Sequence, residues 1–130
     1  MAADERTVVH TEGAPKAVGP YSQGIRTGGL LFSSGQIPID PASGALVSGP
    51  IEEQTRRVME NLRAVLEAAG TNFGDVVRTT IYLTNLSDFA KVNAIYASYF
   101  PSAPPARSTV QVAALPLGAS IEIDLIAKAP

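Results

Sequence analysis

The chain has 130 residues, of which 45% are hydrophobic and 17% are charged, and its net charge at neutral pH is −2. This size and composition predict one folded domain over residues 1–130, and the acidic balance offers no basic surface for a phosphate backbone, so nucleic-acid binding is not expected. The chain contains no cysteine and a single histidine, His10. Disulfides, thiolate nucleophiles and cysteine- or histidine-rich metal centres are therefore excluded, and no metal site is expected.

The apolar runs of the chain are too short to cross a bilayer, so no membrane association is expected. Residues 1–6 carry acidic side chains and lack the apolar stretch of a secretory signal. These features predict a cytoplasmic protein.

The first half of the chain predicts three strands followed by a long helix. The strands are expected at residues 6–11, 22–27 and 30–35, with a two-glycine turn joining the second strand to the third. Pro50 suits the first position of a helix, because a helix leaves that N–H unpaired in any case. An apolar stripe with helical spacing follows, and Gly70 provides the C-terminal stop.

The second half predicts a strand, a helix and two closing strands. The strand is expected at residues 76–83, and Ser87 is expected to cap a second helix that ends at Pro101. The closing strands are expected at 106–113 and 120–128. The order β-β-β-α-β-α-β-β predicts the α+β class, with a six-stranded mixed sheet whose two helices cover only one face.

Alternation of side chains predicts the character of the second sheet face. In the last strand Glu122 and Asp124 point away from the isoleucines between them. In the preceding strand the pattern assigns Arg107, Thr109 and Gln111 to this face and Val110 to the other. A face that is polar but hardly charged suits a subunit interface better than open water, so a homo-oligomer is expected.

Two residues are the main candidates for chemistry. Arg107 starts a strand after a proline-rich loop, where its guanidinium can grip a carboxylate through two parallel N–H groups or can form a structural ion pair. Glu122 stands between two isoleucines, so it suits either an acid/base with a shifted pKa or a cross-strand partner for an arginine. The strands that carry the two residues are consecutive, so we expect them to pair and the side chains to converge.

Four further residues are weaker candidates. Asn93 falls within the apolar stripe of the second helix, where a structural role is favoured over contact with a ligand. Tyr21 lies on a stiff Gly-Pro turn. Ser34 precedes Gly35, whose backbone can approach a ligand closely and offer its N–H to an oxygen atom.

Several segments together resemble the Rid (YjgF) family of reactive-imine deaminases. They are residues 19–24 (GPYSQG), 34–38 (SGQIP), 92–96 (VNAIY) and 105–116 (PARSTVQVAALP), together with Glu122 in the last strand. The likeness extends over nearly the whole chain, and the Pro-Ala-Arg-Ser segment is its most specific motif.

The resemblance implies a chorismate-mutase-like fold and a homotrimer with a ligand cleft at each subunit interface. It implies hydrolysis of 2-imino acids or their enamine tautomers, such as 2-aminoacrylate or 2-iminobutyrate, to 2-oxo acids and ammonia, without a cofactor. Small 2-imino and 2-oxo acids are therefore the expected partners. No thiol, histidine or metal is needed, because imines already hydrolyse in water and one positioned carboxylate can accelerate the reaction.

By position, the resemblance implies that Arg107 grips the substrate carboxylate and that the Gly35 N–H lies beside it. Glu122 holds and activates the water, and the main chain at Thr109 faces the imine. The cleft is further lined by Ser34, Asn93 and, from the adjacent subunit, Tyr21. Many family members have cysteine where this chain has Thr109; since that position acts mainly through its backbone, deaminase activity is expected to survive.

Two other functions compete with the deaminase. One is a non-enzymatic trimer that binds 2-oxo acids as a regulator. The other is a ribonuclease or translation inhibitor, against which the acidic balance and the single histidine weigh, because RNA cleavage usually requires cations and an acid/base pair.

Overall fold

The computed structural model describes residues 5–130. Its strands are β1 (Thr7–Val9), β2 (Gly24–Thr27), β3 (Leu30–Ser33), β4 (Val76–Leu83), β5 (Ala106–Gln111) and β6 (Ile121–Lys128). Its helices are α1 (Ile51–Ala68) and α2 (Phe89–Ala97). The predicted order of elements and the α+β class are confirmed. The prediction that residues 1–6 lack a secretory signal rests partly on residues 1–4, and these four lie outside the described residues.

The six strands form one mixed sheet in the order β1-β2-β3-β6-β4-β5. Only β4 and β5 pair in parallel, and the other neighbours are antiparallel. The prediction that β5 and β6 pair is wrong, because β4 lies between them. The reason is the α2 crossover, which returns the chain beside β4 in the same direction and leaves β5 at the sheet edge.

The two helices begin slightly differently from the prediction. Pro50 is the capping residue that precedes α1 rather than its first helical residue, whereas Gly70 follows the helix with a φ of 79°, which glycine adopts without strain. Ser87 does not cap α2: it lies in a short 3₁₀ turn, and its N–H donates to the Asn85 side chain at 3.0 Å. Asn85 therefore caps this 3₁₀ turn, and Asp88, the residue before α2, makes no capping hydrogen bond through its side chain.

One hydrophobic core lies between the helices and one face of the sheet. Its fully buried side chains include Leu31, Val58, Leu62, Val65, Leu66, Ile81, Leu83, Val92, Ile121 and Ile123. No helix within residues 5–130 is long and apolar enough to cross a membrane. The core face thus fixes both helices on one side and leaves the other side of the sheet, the open face, without helices.

The open face carries polar side chains, but β5 contributes different residues from those predicted. Its register with β4 pairs Arg107 with Thr79 and Thr109 with Ile81, so Arg107 and Thr109 lie on the helix side. Val110 lies on the open face and is 41% exposed. The predicted assignment of this strand is therefore wrong, because an edge strand that mixes polar and apolar residues on both faces carries no clear inward side.

Candidate active site

The segment after β3 places a glycine directly beneath Glu122. Gln36 and Ile123 exchange backbone hydrogen bonds of 2.9 and 3.1 Å, which hold this segment against β6. A Cβ added to Gly35 would overlap Glu122 Oε2 and would lie 2.7 Å from Glu122 Cδ. Only glycine therefore lets the carboxylate lie against the backbone at this position.

The Glu122 carboxylate is a group without an internal partner. Burial raises its pKa above the ordinary value, and the neighbouring charge of Asp124 adds to the effect. Among residues 5–130 it has no hydrogen bond or ion pair. Its cross-strand neighbour is Tyr82, which donates to Asp124 at 3.0 Å, so the alternative of a cross-strand arginine is wrong. A carboxylate of raised pKa that is free to bind water or ligand is suited to acid/base work.

A cavity of about 620 Å³ opens beside this carboxylate. We call it the Glu122 cavity; it is lined by Pro15, Lys16, Val18, Tyr21, Ser34, Gly35, Gln36, Ile37, Ile39, Gly44, Pro116, Leu117 and Glu122. Four predicted site residues, Tyr21, Ser34, Gly35 and Glu122, therefore meet here within one chain, although Tyr21 was expected from the adjacent subunit. The Ser34 hydroxyl donates to the Ser22 carbonyl at 2.5 Å, so in this structure it holds the neighbouring turn.

The other predicted residues form a second cluster around Arg107. Its guanidinium donates to Asn93 Oδ1 at 2.8 Å and lies over the Phe89 and Tyr96 rings, 5.3 and 5.0 Å from their centroids. Tyr96 is held in turn by a 2.7 Å hydrogen bond with Thr79. These contacts orient the guanidinium from α2, so the structural role predicted for Asn93 is to position Arg107.

This second cluster also lines an opening, which we call the Arg107 pocket. Its volume is about 480 Å³, and it is lined by Asn93, Tyr96, Ala97, Phe100, Pro104, Pro105 and Arg107. Thr109 lies two residues along the same strand, and its buried hydroxyl has no hydrogen-bond partner among residues 5–130. Arg107, Asn93 and Thr109 thus group on β5 and α2, apart from the other four residues.

The sheet separates the two clusters within one chain. Arg107 is aligned through Thr79 with Leu125, three residues from Glu122 along β6. Arg107 and Glu122 are thus about 10 Å apart across the strands, which is two strand spacings, and about 10 Å apart along them, which is three residues. Their side chains also lie on opposite faces of the sheet. The expected convergence of Arg107 and Glu122 within one chain is therefore wrong.

Sequence reasoning missed several residues of the Glu122 cavity. Leu117 projects at its rim from a backbone with a φ of 59°, unusual for a residue with a side chain, and no sequence pattern marks it. Asn61 donates to the carbonyls of Ile37 and Ile39, which line the cavity. A signal existed for Asn61: it is an amide on the apolar stripe of α1, and a buried amide must bond something.

No group of three or more His, Asp or Glu side chains within the described part of the chain is arranged to hold a metal ion. The chemistry available at the two clusters is thus that of a carboxylate, a guanidinium, an amide, hydroxyls and backbone N–H groups. This set can bind a small carboxylate and move a proton.

Comparison with known proteins identifies the family. Residues 11–129 match the protein family described as Endoribonuclease L-PSP. Protein DfrA of Myxococcus xanthus is 56% identical over 124 residues, covering 94% of this chain and 95% of that protein. The 2-iminobutanoate/2-iminopropanoate deaminase of Homo sapiens is 48% identical over 122 residues, covering 94% and 89%.

Solved structures agree with this match. The structure of YyfA from Yersinia pestis, described as a member of the conserved Rid protein family, has a TM-score of 0.94 at 52% identity and covers 95% of this chain and 99% of that one. The fold predicted from the sequence motifs is thereby confirmed. The chain belongs to the Endoribonuclease L-PSP family, which includes the Rid proteins.

Proposed function

We propose that this protein hydrolyses 2-imino acids and their enamine tautomers to 2-oxo acids and ammonia. The observation that carries the proposal is the Glu122 carboxylate, which lies over Gly35 in an open cavity. This carboxylate has a raised pKa and no partner among residues 5–130. The human relative named as an iminobutanoate and iminopropanoate deaminase supports the same chemistry.

A complete site requires a second copy of the chain. Arg107 and Glu122 lie on opposite faces of one sheet, too far apart to bind one small imino acid. The open face has no helices, and β5 is an edge strand, so another copy can bring its Arg107 to this face. We therefore propose the predicted homotrimer, in which Glu122, Gly35, Ser34 and Tyr21 of one copy meet Arg107, Asn93 and Thr109 of the next.

The proposed reaction uses each cluster for one task. The Arg107 guanidinium binds the substrate carboxylate through parallel hydrogen bonds and orients the C=N bond. Glu122 accepts a proton from water as the water oxygen attacks the imine carbon, and it returns a proton to the nitrogen. The product of this addition is a carbinolamine. Glu122 next accepts its hydroxyl proton and delivers that proton to the amino nitrogen as the C–N bond breaks. Ammonia leaves, and the carbon keeps the water oxygen as the carbonyl of a 2-oxo acid.

Mixed subunits test the activity and the shared site together. Ammonia release from freshly generated 2-iminobutanoate is measured for the parent, for Arg107→Ala, for Glu122→Gln, and for the two variants unfolded and refolded together. Each variant alone should be nearly inactive. In a random mixture about a quarter of the clefts receive an intact Arg107 from one copy and an intact Glu122 from the next, so about a quarter of the parent activity should return.

The possible outcomes separate the proposals. No recovery in mixed trimers would refute the shared cleft while leaving the deaminase in place. Binding of 2-oxobutanoate without ammonia release above the buffer rate would refute the deaminase and favour the regulatory binder. A monomer mass in light scattering at micromolar concentration would refute the trimer. The cytoplasmic location stays a prediction, which cell fractionation tests.

A further inference from the structure

One buried amide holds the loop that forms a wall of the Glu122 cavity. Gln23, directly before β2, is only 2% exposed. Its Oε1 accepts the Thr11 N–H at 2.7 Å, and its Nε2 lies 3.0, 3.3 and 2.9 Å from the carbonyl oxygens of Thr11, Ala14 and Pro15. A single side chain thus contacts four backbone groups of residues 11–15, with its two N–H groups shared among three carbonyl oxygens.

The segment that Gln23 holds leads directly to the cavity. Pro15, Lys16, Val18 and Tyr21 line it, and Val18 and Tyr21 are 82% and 52% exposed, so they have little packing to place them. Within residues 5–130, the hydrogen bonds that connect residues 11–18 to the chain around β2 all involve the side chain of Gln23, the residue before that strand. The remaining bonds of residues 12–21 are local, such as Tyr21 N–H to the Gly19 carbonyl at 2.9 Å.

The main chain of the same residue reaches the floor of the cavity. The Gln23 carbonyl accepts the Ser34 N–H at 2.9 Å, and the preceding carbonyl, that of Ser22, accepts the Ser34 hydroxyl. Ser34 is followed by Gly35, against which the Glu122 carboxylate lies. Gln23 therefore connects the loop at the rim to the backbone beneath the carboxylate.

We propose that Gln23 is a positioning residue, which sets the distance between the loop at residues 15–21 and the Glu122 carboxylate and so determines how tightly the substrate is held. The proposal rests on the proposed imine hydrolysis only for the expected change in KM. Gln23 is buried beneath the loop and does not line the cavity, so it acts through Tyr21 and its neighbours rather than on the substrate.

The test is Gln23→Met, which keeps the length and approximate volume of the side chain but removes every hydrogen bond that the side chain makes to residues 11–15. Releasing the loop should raise KM for 2-iminobutanoate and Kd for 2-oxobutanoate about tenfold, the ratio that one or two hydrogen bonds supply. The turnover number should stay within about twofold, because Arg107 and Glu122 are untouched. Amide hydrogen exchange of residues 11–18 should become faster.

Thr55→Val is the matched control. Thr55 is also fully buried, and its hydroxyl donates to the Ile51 carbonyl at 2.7 Å within α1, away from both clusters. This control should lower Tm without changing KM, Kd or the exchange of residues 11–18. If Gln23→Met keeps the parent KM, Kd and exchange rates, or if Thr55→Val changes them equally, Gln23 is merely structural and the proposal is wrong.

A second variant covers the case in which Gln23→Met does not fold. Gln23→Glu keeps the acceptor for the Thr11 N–H, but as a carboxylate it faces three carbonyl oxygens without a donor. Exchange of residues 11–18 should be faster than in the parent at pH 8 and closer to the parent at pH 5.5, where a protonated carboxyl donates again. Unchanged exchange at both pH values overturns the proposal. A parent without deaminase activity would refute the proposed function, and the exchange data would still decide the role of Gln23.

Discussion

Adding one methyl group at Gly35 is a direct perturbation of the Glu122 carboxylate. The new Cβ would overlap Glu122 Oε2 and would lie 2.7 and 3.0 Å from Glu122 Cδ and Cγ, whereas ordinary contact begins at 3.4 Å. The carboxylate must therefore move by about 1 Å or more to relieve the overlap. A displacement of this size in a reacting group costs about 100-fold in rate.

The same geometry predicts little change in stability. The atoms that must move are the far end of a flexible side chain, and Gly35 is not among the glycines with positive φ, so alanine fits the backbone. We expect Gly35→Ala to lose about 100-fold in ammonia release from 2-iminobutanoate while its thermal melt followed by circular dichroism stays close to that of the parent.

Gly74→Ala provides the control, because its Cβ would also crowd a side-chain oxygen, that of Asn72 at 2.9 Å, and Gly74 lines neither the Glu122 cavity nor the Arg107 pocket. It should keep the parent activity. In the double variant Gly35→Ala/Glu122→Gln the loss should be no greater than for Glu122→Gln alone, since both act on one carboxylate. Parent-like turnover of Gly35→Ala, or full additivity in the double variant, would refute the argument that Gly35 serves the carboxylate.

Three further outcomes are expected. Arg107→Ala should lose about 30- to 1000-fold in kcat/KM, which corresponds to about 2–4 kcal/mol. Arg107→Lys should recover little of this loss, because an ammonium lacks the parallel N–H fork. The control is Arg56→Ala, which breaks an exposed ion pair. Glu122→Gln should keep 2-oxobutanoate binding in calorimetry but slow turnover by about 100-fold, the low end for acid/base catalysis, because imines also hydrolyse spontaneously. A lowered Tm with unchanged turnover would instead leave Glu122 as scaffold. Since burial and Asp124 raise the pKa of Glu122, turnover should fall on acidification at a higher pH than an ordinary glutamate would give, and this limb should be absent in Glu122→Gln.

The same pKa shift has a defined effect on folding. A carboxyl whose pKa is higher in the folded chain than in the unfolded chain favours folding while it is protonated, and this contribution is lost as pH rises through the folded pKa. At neutral pH the charged Glu122 therefore opposes folding, because it has no hydrogen-bond or ion-pair partner among residues 5–130.

Local patterns in the sequence predicted the elements well. The bounds of β4 agree with the prediction at both ends, and α1 follows its apolar stripe closely, because helical and strand periodicities depend on nearby residues. The order of strands is a long-range property. Whether β6 joins β4 or β5 depends on where the α2 crossover places the chain, and no periodicity encodes that choice.

The candidate site residues could be chosen from the sequence, but their arrangement could not. The motifs marked all seven predicted positions, and Glu122 and Gly35 do meet, since residue 35 and β6 are joined through the Gln36–Ile123 bridge. Arg107 was assigned to the wrong face because β5 is an edge strand with polar residues on both sides. A shift of one residue in phase moves every side chain of a strand to the opposite face, so a single wrong choice of phase placed Arg107 on the same face as Glu122.

The sheet explains why two separate clusters can still serve one reaction. Each is held by rigid elements: Glu122 by the bridge between β6 and the Gly35 segment, and Arg107 by Asn93 and two aromatic rings of α2. Neither cluster needs to rearrange before the other approaches, so binding energy is not spent on ordering the reactive groups. Because the side-chain period of a strand is two residues, the register that buries the core also fixes which reactive group lies on which face. In the proposed trimer, packing the open face of one copy against the β5 edge of the next would therefore create the cleft.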